Sequence, residues 1–437
     1  MKEVQHLSIR QQNFFTFLVS IIILGYGVMF GSWIVPDTQG YLTLSVIRPP
    51  LYPLLTKLFY TLFASDYLLL LVVFQITFIL AAAYWLSQTL RTYFKLPSFI
   101  FLIVHFLLVS PLIPAHRIYA GIYGNIGNTI CSEALSYGIF IISLIFLVKS
   151  IFDPSRKNIS IFSFFCVLNT LNRLQFVFMY PIIFIMILFM FKISRNFKIV
   201  LQTTLLIIVM MTGGLLADRQ YHKFVNGVSI ISPGGIFGVL GTILFVSDTS
   251  DAGAIENAVD RSIIQKILQD FDEKRILLRY HHIMGYQPGA FYFRHFAGSI
   301  LTGMMKKYQT VYKLKSPHDD DQLFLGIDSL SKRVLPTLLS RRWLEYSKLS
   351  VIKFIDSFTF REGIFIGVLL MMAPWRLRSR MDILFMIIFL MTIANRLIVT
   401  PSTHLVDRLL FYTDNMQQVI LAAYWGNLIM LRKSQII

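Results

Sequence analysis

The segment Val35-Pro-Asp-Thr-Gln-Gly-Tyr-Leu42, followed closely by Val46-Ile-Arg-Pro-Pro-Leu-Tyr-Pro53, guides the interpretation of this chain. It lies just after the first strongly apolar run and places an acidic residue, Asp37, and a cation, Arg48, at that point. A charge next to a membrane span costs free energy, so ionisable residues there mark candidate functional sites. We therefore expect the chemistry of this protein to involve this segment.

The composition indicates the class of protein. Of the 437 residues, 55% are hydrophobic and only 14% are charged, and the mean hydropathy is +0.64. A soluble domain has about 25% charged residues, so we predict an all-α polytopic membrane protein. The net charge of +17 comes from Lys and Arg residues, many of them in short loops between apolar runs. Such residues act as orientation signals and phospholipid contacts rather than as nucleic-acid ligands.

Apolar runs of roughly 20 residues can each cross a bilayer as a helix. We expect about ten, near residues 13–35, 66–88, 98–114, 133–150, 159–172, 174–191, 198–217, 361–375, 382–399 and 409–431. Polar residues interrupt the run 159–191, which we interpret as a short helical hairpin with its tip near Arg173.

The loop charges predict the orientation of these helices. If the N-terminus is cytoplasmic, every inside loop is basic, as the positive-inside rule requires. The basic loop residues are Arg91 and Lys95; Lys149, Arg156 and Lys157; Lys192, Arg195 and Lys198; Arg376, Arg378 and Arg380; and Arg432 and Lys433. This orientation places Asp37, Arg48 and Arg173 on the extracytoplasmic face of the cytoplasmic (inner) membrane, where we expect the active site.

The chain divides into three parts by composition. We expect an N-terminal transmembrane module of about seven helices over 1–217, whose first outer loop, 36–65, carries short loop helices. A small, mainly helical extracytoplasmic domain is expected over 218–360, packed on the membrane helices. About three further membrane helices are expected over 361–437.

Helical patterns recur within residues 218–360. Asp251 is expected to cap a helix from about 252 to 282, with Asp270 and Lys274 forming an i,i+4 pair on its polar side. A second helix is expected over about 333–355. The Asp319-Asp-Asp run is typical of a solvated loop.

Motifs of soluble enzymes are missing from the sequence. It contains no Gly-x-Ser-x-Gly, no His-Glu-x-x-His and no dinucleotide-binding fingerprint. The two cysteines, Cys131 and Cys166, show neither metal-ligand spacing nor a disulfide framework. We predict no metal site; the sequence leaves open whether a divalent cation takes part as a cofactor.

Four stretches resemble the integral-membrane glycosyltransferases of the C-type superfamily (GT-C fold). More narrowly, they resemble bacterial polyprenyl-phosphate-sugar transferases related to protein O-mannosyltransferases and to the aminoarabinose transferase of lipid A. The Asp37-to-Pro53 block carries most of the resemblance. The others are Cys131-Ser-Glu-Ala-Leu, Leu171-Asn-Arg-Leu and Asp407-Arg-Leu-Leu-Phe-Tyr.

This resemblance implies a glycosyltransferase with a polyprenyl-phosphate-linked sugar as donor and a glycan, a lipid or a protein as acceptor, among membrane lipids. It assigns the role of catalytic carboxylate to Asp37 and contact with the lipid phosphate to Arg48. The family often places a second acid directly after the first, where this chain has Thr38. Glu133 is the candidate for that second catalytic carboxylate.

The same roles follow from the chemistry of sugar transfer. A base must accept the proton of the acceptor hydroxyl, which suits Asp37, and positive charge must stabilise the departing phosphate. A single displacement predicts inversion at the anomeric carbon. Arginine binds phosphate in a bidentate manner, and the candidates are Arg48, Arg117, Arg173 and Arg408. Candidate substrate-binding residues are Tyr41, Tyr52 and His404.

Each of the main candidates also has a structural interpretation. Asp37 is in good N-capping sequence for a loop helix, and Arg48 has the chemistry to extend toward lipid headgroups. Glu133 would complement the dipole at the start of the fourth long helix. Arg173 would form a buried ion pair, with Glu133 as the candidate partner.

Two other functions share some of these features. A transporter or lipid flippase usually carries ionisable residues near the bilayer midplane, whereas the charges here gather at helix ends, which favours an enzyme. A polysaccharide polymerase or ligase that uses a diphosphate-linked glycan has the same superfamily architecture and would also need outer arginines.

Overall fold

The computed structural model of the protein describes residues 8–113, 116–119, 122–233, 235–281, 286–312, 320–358, 379–401 and 406–436. Within these residues the chain is mainly helical, and six helical segments are long and apolar enough to cross a membrane. They are Ile9–Phe30, Leu51–Phe94, Ser132–Phe152, Leu174–Ile193, Phe197–Asn226 and Arg380–Val399. The protein is therefore a helical membrane protein.

The first nine α-helices follow one another up to Asn226. They are α1 (Ile9–Phe30), α2 (Thr38–Leu42), α3 (Leu51–Phe63), α4 (Tyr67–Phe94), α5 (Ser98–Val109), α6 (Ser132–Phe152), α7 (Arg156–Asn172), α8 (Tyr180–Ser194) and α9 (Phe197–Asn226). Two short strands, β1 (His116–Tyr119) and β2 (Ile122–Gly124), form an antiparallel hairpin between α5 and α6. This hairpin is a small departure from the expected all-α fold.

Six further helices follow α9 in the described part of the chain. They are α10 (Ile236–Val246), α11 (Ala258–Glu273), α12 (Tyr286–Tyr312), α13 (Asp320–Asp356), α14 (Arg380–Val399) and α15 (Val406–Ile436).

Four of the ten expected spans are not among the six apolar segments. Helix α5 has only 12 residues and continues as a 3-10 turn that contains Pro111, and α7 has 17 residues. Helix α15 has 31 residues but is too polar to be among the six. The expected span 361–375 lies outside the described residues.

Helix α6 occupies the centre of the membrane module. Some 83% of its apolar stretch is buried inside the protein, against 11% for α1. Helices α4 and α7 pack directly against α6, while α1 packs on α4 at the periphery. The exposed apolar side chains of α1, such as Phe17 and Ile22, suit contact with lipid. The residues at the N-terminus of α6 therefore lie in the middle of the helix bundle.

The predicted helical hairpin is present between α7 and α8. Arg173 ends α7 in an extended conformation, and a 3-10 segment, Leu174–Met179, leads into α8. The backbone N–H of Arg173 still donates to the carbonyl of Asn169 at 2.8 Å. The turn is therefore tight and keeps the Arg173 side chain close to the end of the bundle.

A second hydrophobic core is formed by helices α10 to α13. Its fully buried side chains include Leu240, Ile263, Phe271 and Leu338, and it is distinct from the core around α6. Helix α9 continues to Asn226 without a break at the expected domain boundary of 217. That the second core lies outside the membrane stays a prediction.

Both bounds of the expected helix 252–282 were wrong, because the observed helix ends at Glu273 and also starts later. Helix α11 begins at Ala258, and Asn257 caps it by accepting hydrogen bonds from two backbone N–H groups. Asp251 instead belongs to a 3-10 turn, where its carboxylate binds the guanidinium of Arg342 at 2.6 Å. Helix α13 is kinked at Arg342. The predicted Asp270–Lys274 pair is confirmed at 2.6 Å.

Candidate functional site

The segment after α1 pairs with the segment that precedes α6. The N–H of Trp33 donates to the carbonyl of Asn128 at 2.8 Å, and the N–H of Ile130 donates to the carbonyl of Trp33 at 3.0 Å. The hydroxyl of Thr38 donates to the carbonyl of Ile130 at 2.8 Å. Thr38 therefore fastens the two segments together, at the position where the resemblance leads us to expect a second acid.

Two buried amide side chains anchor this pair of segments to the membrane helices. Gln75 in α4 donates to the carbonyl of Gly127 at 2.9 Å and accepts a hydrogen bond from the Tyr52 hydroxyl at 2.7 Å. Asn128 donates to the carbonyl of Gly27 in α1 at 2.7 Å. Neither Gln75 nor Asn128 was predicted from the sequence to support the site. Polar residues inside apolar runs, as Gln75 is, are the available signal.

Asp37 and Arg48 form an ion pair between α2 and the segment leading into α3. Arg48 Nη2 lies 2.8 Å from Asp37 Oδ1, and 29% of the Asp37 side chain is exposed against 18% for Arg48. Asp37 stands at the N-cap position of α2, but its side chain makes no capping hydrogen bond there. Its carboxylate pairs with Arg48, and Arg48 faces the protein rather than extending away from it.

The Arg48 guanidinium also packs on Tyr41. Its central carbon lies 4.6 Å from the centre of the Tyr41 ring, a cation–π distance, and Nη1 lies 3.5 Å from the Tyr41 hydroxyl. A Cβ atom at Gly40 would stand 2.9 Å from Arg48 Nε. The absence of a side chain at Gly40 therefore lets the arginine lie across α2.

Glu133 and Arg173 form a second, more deeply buried ion pair. Arg173 Nη1 lies 2.6 Å from Glu133 Oε1, and only 1% of the Glu133 side chain is exposed. Arg173 Nε donates to Gln175 at 2.8 Å. Nearby, the Asn172 amide donates to the Ser132 carbonyl at 3.0 Å and tightens the turn against α6. The ion pair expected from the sequence is confirmed.

Tyr41 and Ser132 join the two ion pairs into one network. The Tyr41 hydroxyl and Ser132 Oγ lie 2.8 Å apart, and Arg173 Nη1 approaches Ser132 Oγ at 3.5 Å. Burial raises the pKa of the Tyr41 phenol above its usual value, and this outweighs the lowering effect of Arg48. Tyr41 therefore stays a neutral phenol at physiological pH. Ser132 belongs to the Cys131-Ser-Glu-Ala-Leu stretch, but no role of its own was predicted for it.

A third ion pair lies between α14 and α15. Arg396 is fully buried, its Nη1 lies 2.8 Å from Asp414 Oδ1, and its guanidinium stacks on Phe358 at 4.6 Å. Its neighbour Asn395 lies 3.4 Å from the Gln175 amide nitrogen, which connects it to the Arg173 side of the network. Arg396 was also missed, although an arginine inside an apolar run is a recognisable signal.

Of the remaining predicted site residues, only Tyr52 has a described side chain. Tyr52 is fully buried, and its ring packs edge-on against the Tyr41 ring with 5.0 Å between the ring centres. Tyr52 therefore helps to hold the Tyr41 ring in place. Arg117 lies in β1 and Arg408 in α15, but the described part does not include their side chains. His404 lies outside the described residues.

No metal-binding group is found among the described residues, where no three His, Cys, Asp or Glu side chains converge. Asp37 and Glu133, the two acids of the network, are each bound to an arginine. The site is therefore a charge-paired cluster of two carboxylates and two guanidinium groups at one end of the helix bundle. Comparisons with known proteins give no match, whether to a family model, to a curated protein or to a solved structure.

Proposed function

We propose that this protein is a membrane glycosyltransferase that moves a single sugar from a polyprenyl-phosphate donor to an acceptor hydroxyl. The observation that carries the proposal is the network in which the Asp37–Arg48 pair is joined through Tyr41 and Ser132 to the Glu133–Arg173 pair. It combines a carboxylate suited to accept a proton with arginines suited to bind a phosphate.

The proposed site faces the extracytoplasmic side of the cytoplasmic membrane. The basic loop residues, including Lys95 and Arg195, support this orientation through the positive-inside rule. The apolar side chains exposed on helices such as α1 and α9 offer a surface for the polyprenyl chain. The acceptor, a glycan, a lipid or a protein, then approaches from outside the membrane.

The ion pairs define how the reaction would begin. The donor phosphate competes with Asp37 for Arg48, and its oxygens replace the carboxylate in the hydrogen bonds of the guanidinium. Release from Arg48 frees Asp37 to act as a base, because a carboxylate bound to arginine accepts a proton poorly. Arg173 is a second candidate ligand for the phosphate.

In the transfer step the acceptor oxygen forms a bond with the anomeric carbon of the sugar. The bond between that carbon and the phosphate oxygen breaks, and its electron pair stays on the phosphate, which Arg48 stabilises. The hydroxyl proton passes to Asp37. Attack from the side opposite the phosphate inverts the configuration at the anomeric carbon, so the product anomer is opposite to that of the donor.

The experiment is transfer by purified protein in lipid nanodiscs with radiolabelled polyprenyl-phosphate hexoses and a cell-envelope extract as acceptor. Asp37→Asn should abolish transfer and leave donor binding intact, because the amide cannot take up the proton. Asp66→Asn is the matched control, since Asp66 is exposed in a 3-10 turn outside the network. Native-like turnover by Asp37→Asn would refute Asp37 as the base.

A lipid or glycan transporter is the second candidate, and the buried Arg396–Asp414 pair favours it. Transporters often carry ionisable residues inside the helix bundle. Measuring lipid-linked sugar translocation in proteoliposomes separates the two functions. Translocation by the native protein that persists in Asp37→Asn, with no acceptor labelled by either protein, would identify a transporter and exclude the transferase.

A further inference from the structure

The segment 43–48 lies between α2 and α3 and carries Arg48 at its end. Leu44 in this segment has a φ of +56°, a left-handed backbone conformation that residues other than glycine rarely adopt. Such a conformation persists only where surrounding contacts hold it. The position of Arg48 therefore depends on whatever fixes Leu44 and its neighbours.

Two residues from distant parts of the chain hold this segment. The Asn226 amide, at the end of α9, donates to the Leu44 carbonyl at 2.9 Å. Asp321, at the start of α13, accepts a hydrogen bond from the Ser45 hydroxyl at 2.5 Å and one from the Val46 N–H at 3.2 Å. Asn226 and Asp321 together form a clamp on the strained Leu44 and on the two residues that follow it.

The clamp is itself held in place. Asn226 Oδ1 lies 2.8 Å from His222 Nδ1, and this contact fixes the amide so that its nitrogen faces Leu44. Asp321 is the second residue of the long helix α13, whose later residues belong to the second hydrophobic core. Ser45 and Val46 are both buried, so water cannot easily replace the carboxylate of Asp321.

We propose that Asp321 and Asn226 are positioning residues that set the place of Arg48 in the site. They act through the backbone of segment 43–48 and do not touch the substrate. By holding Leu44 to Val46, they keep the Arg48 guanidinium within reach of both Asp37 and the Tyr41 ring. The second hydrophobic core is thereby coupled to Arg48, the residue proposed to bind the donor phosphate. The consequence for donor use rests on the proposed function.

Hydrogen exchange tests the clamp without any assumption about activity. Backbone amide exchange of segment 43–49 is measured by mass spectrometry in the purified full-length protein. Asp321→Ala should speed exchange in this segment about tenfold or more, since it removes hydrogen bonds to a charged acceptor. Asp321→Asn keeps an oxygen acceptor and should stay close to the native rate. The control is Asp356→Ala, at the exposed end of α13.

Donor dependence tests whether the clamp serves Arg48. In the transfer assay, Asp321→Ala should raise the donor concentration for half-maximal rate about tenfold, with a smaller change in maximal rate. Asp321→Asn should restore most of the donor affinity, which a general loss of folding would not allow. Asn226→Ala should act in the same direction.

The outcomes separate the inference from the proposed function. Unchanged exchange in Asp321→Ala overturns the clamp, whatever the activity. Faster exchange with native donor dependence overturns the positioning role for Arg48. If the native protein itself transfers no sugar, the proposed function fails, and the exchange measurements still decide whether Asp321 holds the segment.

Discussion

Replacing Glu133 by Gln tests whether the Glu133–Arg173 pair is only structural or also takes part in the chemistry. Glu133 is 1% exposed and lies 2.6 Å from Arg173, of which 16% is exposed. Removing one partner of such a buried pair leaves an uncompensated charge and costs about 3–5 kcal/mol. A loss of that size should lower Tm in detergent clearly below that of the native protein.

The double variant Glu133→Gln with Arg173→Met provides the contrast. It removes both charges, so most of the lost stability should return, because no unpaired buried charge remains. Sugar transfer should be lost in both variants if Glu133 or Arg173 acts on the substrate. Thermal unfolding in detergent and transfer in nanodiscs are measured on the same preparations. Recovery of activity together with stability in the double variant would show that the pair is structural alone.

Two further substitutions test the Arg48 side of the site. Arg48→Lys keeps the positive charge, but a lysine side chain cannot bind phosphate in a bidentate manner and stack on the Tyr41 ring at the same time. The donor concentration for half-maximal rate should therefore rise about 10-fold or more. Lys57→Ala, an exposed cation beside a tyrosine in α3, is the control and should change nothing. Gly40→Ala should displace Arg48 and weaken donor use without lowering Tm, since alanine favours the helix. Gly25→Ala, with open space at its Cβ, is the control, and equal activity of the two would contradict the need for Gly40.

Helix positions were predictable where periodicity and hydropathy agree. The long apolar helices α1, α4, α6 and α9 lie close to the predicted runs, because a run of apolar residues has few alternatives to a membrane helix. Capping was less predictable: Asp251 and Asn257 are both good capping residues, and only the position of Arg342 decides that Asp251 is used as an ion-pair partner.

The candidate site was predictable in part. Asp37, Arg48, Glu133 and Arg173 could be singled out because each is a charge at the end of an apolar run. Their grouping into one network could not, because it depends on Tyr41 and Ser132, two uncharged residues. Tyr41 was expected to bind substrate rather than to join two ion pairs, and no role was predicted for Ser132. The same holds for Asp321, which was expected in a solvated loop but accepts hydrogen bonds from the segment that carries Arg48.

The sequence by itself determined that this protein is a helical membrane protein and which charges lie at the helix ends. Hydropathy is a property of neighbouring residues, so it can be seen along the chain. Only the tertiary structure decided that Asp37 pairs with Arg48 and Glu133 with Arg173, and that α13 reaches back to hold segment 43–48. These contacts join residues up to 276 positions apart, and their geometry depends on how the helices pack around α6.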